Sequence, residues 1–366
     1  MLAVVLAAVI LVPAVSARNS MSAQELQLMQ QFETVYQFIR DSYVDEVDPA
    51  TLFEGALQGM FESLDDPHSA YLNAEDVRSL TDTTSGEFGG VGLYIGKQPE
   101  NGDQPSFVEV VSPIEGTPAY HAGIIGGDLI VAIEGESTAP LSIDEVVDKL
   151  RGRPGTDVQV TVQRGNAPEF FVDITRAIIE VPTVRHAMIG SDIGYLRIVQ
   201  FTPHTAGKVE EAVRFFDSQG YSSMIIDLRG NPGGLLNAVV DVCSVFFDDG
   251  LVVGTRGRIA SENQRFYAQG RSLVPEDMDI LVLIDKGSAS AAEIMAGALK
   301  DRGRAVLAGE TSYGKGSVQQ VRLLGEGGFR LTMARYYLPD GEFIDKIGVD
   351  PHIQLDQPEL SEEEQE

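Results

Sequence analysis

Apolar β-type runs and helix-period stretches alternate between residues 180 and 356, and this alternation constrains the fold more than any other feature. SSMIIDLRG (222–230) reads as a buried strand and turn, and LLNAVVDVCSVFF (235–247) as a helix. DILVLID (279–285) is a second apolar strand, SAAEIMAGALKDRG (290–303) a helix closed by a glycine cap, and RAVLAGE (304–310) a third strand. Strand–helix–strand succession needs crossover connections, so it predicts a mostly parallel sheet with helices packed on it. Functional groups in such sheets gather past the carboxyl ends of the strands. FRLTMARYYL follows, and the chain closes on an acidic tail, 357–366, with the composition of a disordered segment.

The preceding sequence has two other textures. Residues 22–83 carry apolar side chains at helical spacing (Leu26, Met29, Phe32, Val35, Phe38, Ile39, then TLFEGALQGMFESL), up to Pro67 in DDPHSAYL, which ends the helical run. Residues 84–179 alternate short β-rich runs with glycine turns: FGGVGLYIG, FVEVVSPI, GDLIVAIEG, DVQVTVQRG and FFVDITRAII. SIDEVVDKLRG lies among them, with Ser142 and Glu145 spaced for a capping box. Several strands and two short helices in under 100 residues make a compact, partly open β-barrel module.

A formal charge of −28 disfavours binding to nucleic acid and to anionic lipid surfaces. The single cysteine, Cys243, cannot form an internal disulfide, and its aliphatic and acidic neighbours raise a thiol pKa, so it reads as buried and inert. MLAVVLAAVILVPAVSA (1–17) is uncharged and ends in Val15-Ser16-Ala17, a small-residue cleavage pattern. It predicts an export signal, with an uncleaved anchor as the alternative. Either one places the rest of the chain outside the cytoplasm, in a periplasm or at the outer side of an inner membrane.

Two segments past strand ends carry residues able to do chemistry. In DKGSASAAEI (285–294), Ser290 sits at the mouth of a helix, where its hydroxyl faces the crevice and the Ala291 N–H belongs to the unpaired first turn. The competing reading is an N-cap, because Glu293 completes a capping box. None of the five histidines (His68, His121, His186, His204, His352) lies in the crevice strands. In GETSYGKGSVQQ, Lys315 follows the third strand and is placed to act as a neutral base, with Gln319 four residues on to orient its amine. Lys315 has rival readings. GETSYGK fits GxxxxGK, but Gly316 stands where a phosphate loop needs Ser or Thr; Ser312–Lys315 spells SxxK in a poor helix-forming sequence; and a solvated loop lysine fits as well.

Family resemblances weigh on these alternatives. GGVGLYI (89–95) with SPIEGTPAYHAGIIGGDLIVAIEGE (112–136) resembles a PDZ domain, which implies that Val91, Gly92 and Leu93 cradle a peptide carboxylate. DDPHSAYL, DLRGNPGGLL, DKGSASAAEI, GETSYGKGSVQQ and IGVDPHI together resemble the carboxyl-terminal processing peptidases, or tail-specific proteases, through nearly all of the mature chain. That resemblance implies Ser290 as nucleophile, Lys315 as general base, Gln319 as its orienting partner, and Gly233 or Gly234 beside Ala291 as oxyanion donors. It also implies that Arg151 holds the PDZ domain in place. The expected substrates are polypeptides with free, apolar C-termini, cleaved without metal or cofactor. The expected architecture is an α/β multidomain chain. It comprises a signal or anchor (1–17), a helical N-terminal region (22–83), a PDZ β-barrel module (84–179), an α/β serine protease core with a mostly parallel sheet (180–356) and an acidic tail (357–366). Membrane association would run only through the N-terminus, and the helical region would serve a homodimer. Two other classes compete: a non-catalytic PDZ scaffold that holds protein tails, and an SxxK hydrolase with Ser312 as nucleophile.

Overall fold

The computed structural model describes residues 21–97, 106–270 and 272–355. The expected signal or anchor (1–17) and acidic tail (357–366) lie outside the described residues. The chain forms two compact units. The larger comprises Leu80–Gly254, Gln264–Gly316 and Tyr336–Glu366, and the smaller Met1–Ser79, Thr255–Asn263 and Ser317–Arg335.

The first half of the larger unit contains β1 (Glu87–Gly90), β2 (Leu93–Lys97), β3 (Val108–Pro113), α1 (Pro118–His121), β4 (Asp128–Ile133), α2 (Ile143–Leu150), β5 (Asp157–Arg164), β6 (Phe170–Thr175) and β7 (Ala177–Glu180). Strands β2-β3-β4-β5-β6 form one antiparallel sheet, and β1 pairs antiparallel with β7, which brings the two ends of the module together. In β5, Val158, Val160 and Val162 recur at period two and are fully buried. Helix α2 closes over that core with Val146 and Leu150, four residues apart. Its capping box forms as expected: Glu145 N donates to Ser142 Oγ at 3.2 Å and Ser142 N to Glu145 Oε2 at 2.7 Å.

The second half contains β8 (Val184–Ile189), β9 (Ile193–Ile198), α3 (Thr205–Gln219), β10 (Ser223–Asp227), α4 (Leu236–Cys243), β11 (Asp279–Ile284), α5 (Ala291–Asp301), β12 (Val306–Gly309) and β13 (Ile353–Gln354). The sheet is mixed, in the order β8-β9-β10-β11-β12-β13; β8 and β9 are antiparallel and the other neighbours parallel. Met224, Ile226, Val282, Ile284 and Leu307 form its buried centre. Helix α5 is buried from Ala291 to Leu299, and its small residues permit close approach: a Cβ on Gly297 would lie 2.5 Å from Leu338. Helix α4 stops at Cys243 rather than continuing to 247. The Ser244 hydroxyl bonds back to Val240 O at 2.8 Å, and tighter turns follow that bury Val245, Phe246 and Phe247 together.

The smaller unit holds helices Ala23–Ser42 and Pro49–Glu62, neither of which buries a side chain. It also holds residues 317–335 of the hairpin Ser317–Leu324 and Gly327–Tyr337, against which Ala70–Leu72 adds a short strand with Ala70 opposite Arg330. That strand lies past Pro67 in the region 22–83 expected to be helical, and its pairing partner lies some 260 residues away. Asp66 and Ser69 of the DDPHSAYL segment anchor it: Ser69 Oγ donates to Asp66 Oδ2 at 2.6 Å and accepts from Thr332 N at 3.0 Å. Among the described residues, no helix is long and apolar enough to cross a membrane.

Candidate active site

Three turns follow the carboxyl ends of β10, β11 and β12, and Ser290 sits in the middle one. Its backbone lies at φ 55°, ψ −113°, which few non-glycine residues adopt and which costs about 1–3 kcal/mol. An N-cap serine has extended geometry, and Ser290 does not. Its N–H donates to Glu293 Oε2 at 2.7 Å. Its hydroxyl interacts with Tyr336, whose phenol is pushed by burial to a pKa of about 12 and stays protonated. The other serine of the turn, Ser288, is structural: it is fully buried and donates to Leu228 O at 2.8 Å.

The turn after β10 presses on Ser290. Gly233 has φ 106°, and a Cβ there would lie 2.7 Å from Ser290 Cβ and 3.0 Å from Ala291 N. Gly233 N–H donates to Asn231 Oδ1 at 2.8 Å, whereas the N–H groups of Gly234 and Ala291 have no acceptor among the described residues. The base of this turn is charged. Asp227 is fully buried and accepts from Tyr195 at 2.7 Å, Arg197 at 2.9 Å, and Arg229 Nε at 2.9 Å and Nη2 at 2.8 Å. Desolvation opposes its charge, but the hydrogen bonds from Arg229 and Tyr195 outweigh it and hold the carboxyl down at about 2.

The third turn carries Lys315 and is tied to the second by one carboxylate. Glu293 is fully buried, and each of its oxygens takes two donors. Oε1 accepts from Ser312 Oγ at 2.6 Å and Gly314 N at 2.6 Å; Oε2 accepts from Ser290 N at 2.7 Å and Lys315 N at 2.9 Å. Tyr313 N adds a bond to Ser288 O at 3.0 Å. Both turn glycines pack tightly against residues 344–348: a Cβ on Gly316 would lie 2.3 Å from Asp345 N, and one on Gly314 3.0 Å from Ile347 N. Lys315 is half-buried. Ser312 has no freedom to act as a nucleophile, since its hydroxyl donates to Glu293 and accepts from Val349 N at 2.7 Å.

Val91, Gly92 and Leu93 line a largely apolar cavity of about 200 Å³, with Phe88, Ile95, Ile114, Val147, Leu150 and Arg151 around it. The N–H groups of Val91 and Gly92 have no acceptor among the described residues. The Arg151 guanidinium stacks 4.8 Å above the Phe88 ring and lies 3.4 Å from Asp82.

Comparison with known proteins connects this geometry to a family. Residues 192–355 match the model of peptidase family S41, residues 109–164 that of the PDZ domain, and residues 10–76 that of the activating protease CtpB N-terminal domain. A carboxy-terminal-processing protease of Bartonella bacilliformis is 41% identical over 97% of this chain and 81% of its own. The chain belongs to the carboxy-terminal processing protease family. Carboxy-terminal processing protease CtpB of Bacillus subtilis is 34% identical over 94% of this chain and 72% of its own. Among solved structures, a photosystem II D1 C-terminal processing protease superposes with a TM-score of 0.51 at 29% identity, covering 92% of this chain and 93% of the other. The protein is therefore a serine peptidase of the S41 family carrying a PDZ domain.

In this carboxy-terminal processing protease, Ser290, Ala291, Gly233, Gly234 and Lys315 share the strand-end turns of one unit. Gln319 lies on Ser317–Leu324 of the smaller unit, where its amide donates to Ser317 Oγ at 2.8 Å and Thr332 Oγ1 at 3.4 Å. His204 pairs with Glu87 at 2.9 Å, and His352 Nδ1 accepts from Leu307 N at 2.9 Å, so both have structural partners. Among the described residues, no three His, Cys, Asp or Glu side chains are grouped to hold a metal ion. Cys243 is fully buried, and desolvation pushes its thiol pKa far up. Sequence reasoning took Glu293 only as a helix cap and passed over Asn231, Asp227 and Tyr336. The one local signal was Glu293 itself, an acid inside an otherwise small and apolar helix face.

Proposed function

We propose that Ser290 is the nucleophile of this protease and Lys315 its general base. Neutral Lys315 takes the Ser290 proton as Oγ attacks the scissile carbonyl. The N–H groups of Ala291 and Gly234 hold the oxyanion, and protonated Lys315 gives its proton to the leaving amine. Water then attacks the acyl-enzyme by the same proton route. The observation that carries the reading is the left-handed backbone of Ser290 at the mouth of a buried helix, bonded through Glu293 to the turn of Lys315. Gln319 is assigned to orienting the Lys315 amine. Gly233 is not chosen as a donor, because its N–H is already taken by Asn231.

The substrates are polypeptides with a free, apolar C-terminus. The terminal carboxylate meets the N–H groups of Val91, Gly92 and Leu93, and the last side chain fills the apolar cavity beside them. We take 84–179 as the PDZ module and 180–356 as a protease core built on the mostly parallel sheet, preceded by the helical region 22–83. The assigned compartment is outside the cytoplasm, on the strength of residues 1–17. The helical region is assigned to a homodimer contact, which sedimentation of residues 18–366 would test.

The deciding experiment incubates residues 18–366, and the Ser290→Ala and Lys315→Ala variants, with an unstructured protein ending in apolar residues. Mass spectrometry should find fragments with the unaltered chain only, all three being folded by circular dichroism. Cleavage surviving in Ser290→Ala would remove Ser290 from the nucleophile's role.

A further inference from the structure

We propose that Asn231 is a positioning residue for the oxyanion donors, an inference that rests on the assignment of Ser290 as nucleophile. Asn231 is fully buried and bonds three separate segments. Its Nδ2 donates to Ile198 O at the end of β9, at 2.9 Å, and its Oδ1 accepts from Gly233 N at 2.8 Å. Its own carbonyl accepts from Ala289 N, next to Ser290, at 2.9 Å.

The turn that Asn231 holds has no slack. On its far side, Phe201 N donates to Gly233 O at 2.9 Å and Leu235 N donates to Phe201 O at 2.8 Å. A Cβ on Gly234, which has φ 144°, would lie 2.0 Å from Phe201 O. Pro232 contributes no N–H, and both peptide groups of Gly233 are engaged. With the Gly233 N–H held by Asn231, the Gly234 N–H is the one donor of residues 232–235 without an acceptor among the described residues. The residue type fits the task. A side-chain amide offers an acceptor to the N–H two residues on and a donor to a strand carbonyl at the same time. Aspartate keeps the acceptor and sets a carboxylate against the Ile198 carbonyl; serine is too short for both.

The test measures kcat and KM for an apolar-ended peptide, inhibition by a peptide boronate that takes the tetrahedral form on Ser290, and tail-peptide affinity in a Ser290→Ala background. In folded Asn231→Ala and Asn231→Ser chains, kcat and boronate affinity should both fall about 100-fold, the cost of misplacing a single donor. KM and tail affinity should stay within about twofold. In Asn231→Asp, activity relative to the unaltered chain should rise as pH falls, because a protonated carboxyl regains the donor for Ile198 O; this profile carries the test where Asn231→Ala does not fold. A folded Asn231→Ala chain with kcat within about threefold of the original would overturn the proposal. So would an increased kcat, which would make the freed Gly233 N–H the better donor, or a pH-independent ratio in Asn231→Asp. Cleavage persisting in Ser290→Ala would overturn the nucleophile assignment itself, a distinguishable failure.

Discussion

The strand-end turns around Ser290 and the groove beside Val91 are built on opposite principles. Around Ser290 almost every polar group is committed. Glu293 takes four donors, Asn231 spans three segments, and Ser288 and Ser312 are consumed by neighbours, while the Gly234 and Ala291 N–H groups have no acceptor among the described residues. Around Val91 the walls of a cavity of about 200 Å³ are largely apolar, and the N–H groups of Val91 and Gly92 have no acceptor among the described residues. The first arrangement fixes atoms to within fractions of an ångström, as charge stabilisation in a transition state requires. The second binds an end group and tolerates many side chains, as recognition of varied tails requires. Mutations should divide accordingly: polar losses near Ser290 should appear in kcat, and changes near Val91 in KM.

The largest effect after loss of Ser290 or Lys315 themselves should come from Glu293→Gln. An amide has one acceptor oxygen, so two of the four donors would face an NH2 group and stay unsatisfied in a buried site. The turns of Ser290 and Lys315 would then lose their shared anchor. We expect kcat to fall about 10²–10³-fold with a lowered melting temperature, while KM changes little. A folded Glu293→Gln chain with kcat within about threefold would mean that the turns of Ser290 and Lys315 do not depend on this carboxylate.

How much of this was legible in the sequence follows the same division. Ser142 and Glu145 cap a helix because a capping box is a local pattern, and the sequence displays it whole. Ser290 and Glu293 display the same pattern, yet Ser290 carries it on a backbone that an ordinary cap does not adopt. The decisive facts there are a backbone at φ 55° and an acid shared with residues 312–315. Neither is local, and composition or periodicity cannot show them. Asn231 is hidden for the same reason, since its side chain answers a carbonyl 33 residues earlier. The strand Ala70–Leu72 was masked by helical neighbours, because its partner is the distant Gly327–Tyr337. The strands and helices of the core were readable because each buries one continuous apolar run.

Acid should expose the base of the Ser290 site next. Asp227 titrates at about 2 in the folded protein, against about 3.9 in an unfolded chain. A carboxylate with a depressed pKa contributes stability above its unfolded pKa and loses it as pH falls through the folded value. Asp227 should therefore supply about 2–3 kcal/mol at neutral pH and surrender it between about pH 4 and about pH 2. The PDZ module has a counterpart in Asp128, whose carboxyl is also lowered: desolvation opposes its charge, but hydrogen bonds from Arg164 at 2.7 and 2.8 Å prevail. Melting temperatures measured from pH 7 to pH 2 should show a steep acid limb. The limb should flatten in Asp227→Asn, which starts from a lower neutral value; parallel limbs would place the acid-labile group elsewhere.

A smaller effect should come from Gly92→Ala. Gly92 has φ 82°, and a Cβ there would lie 2.4 Å from Thr117. The loop must shift, and its N–H groups with it, so KM should rise about tenfold while kcat at saturation holds. A fall confined to kcat would mean that the groove acts on the chemistry rather than on tail capture.

Arg151→Ala should have the smallest effect, and it tests whether the two regions communicate. The Arg151–Asp82 pair at 3.4 Å is partly solvated, and such pairs contribute about 0–1 kcal/mol, a few-fold in rate at most. The stack on Phe88 adds about 0.5–1 kcal/mol at a site of this exposure. Salt separates the two: an ion pair weakens at about 0.5 M salt, whereas a stacked guanidinium keeps its contact. We expect kcat/KM to drop about three- to fivefold in Arg151→Ala, with the tail still bound in the groove. Arg151→Lys should restore only the salt-sensitive part, because an ammonium can pair with Asp82 but presents no plane to Phe88. Unchanged turnover in Arg151→Ala would leave the groove as a tether alone, with no hold on the turns around Ser290.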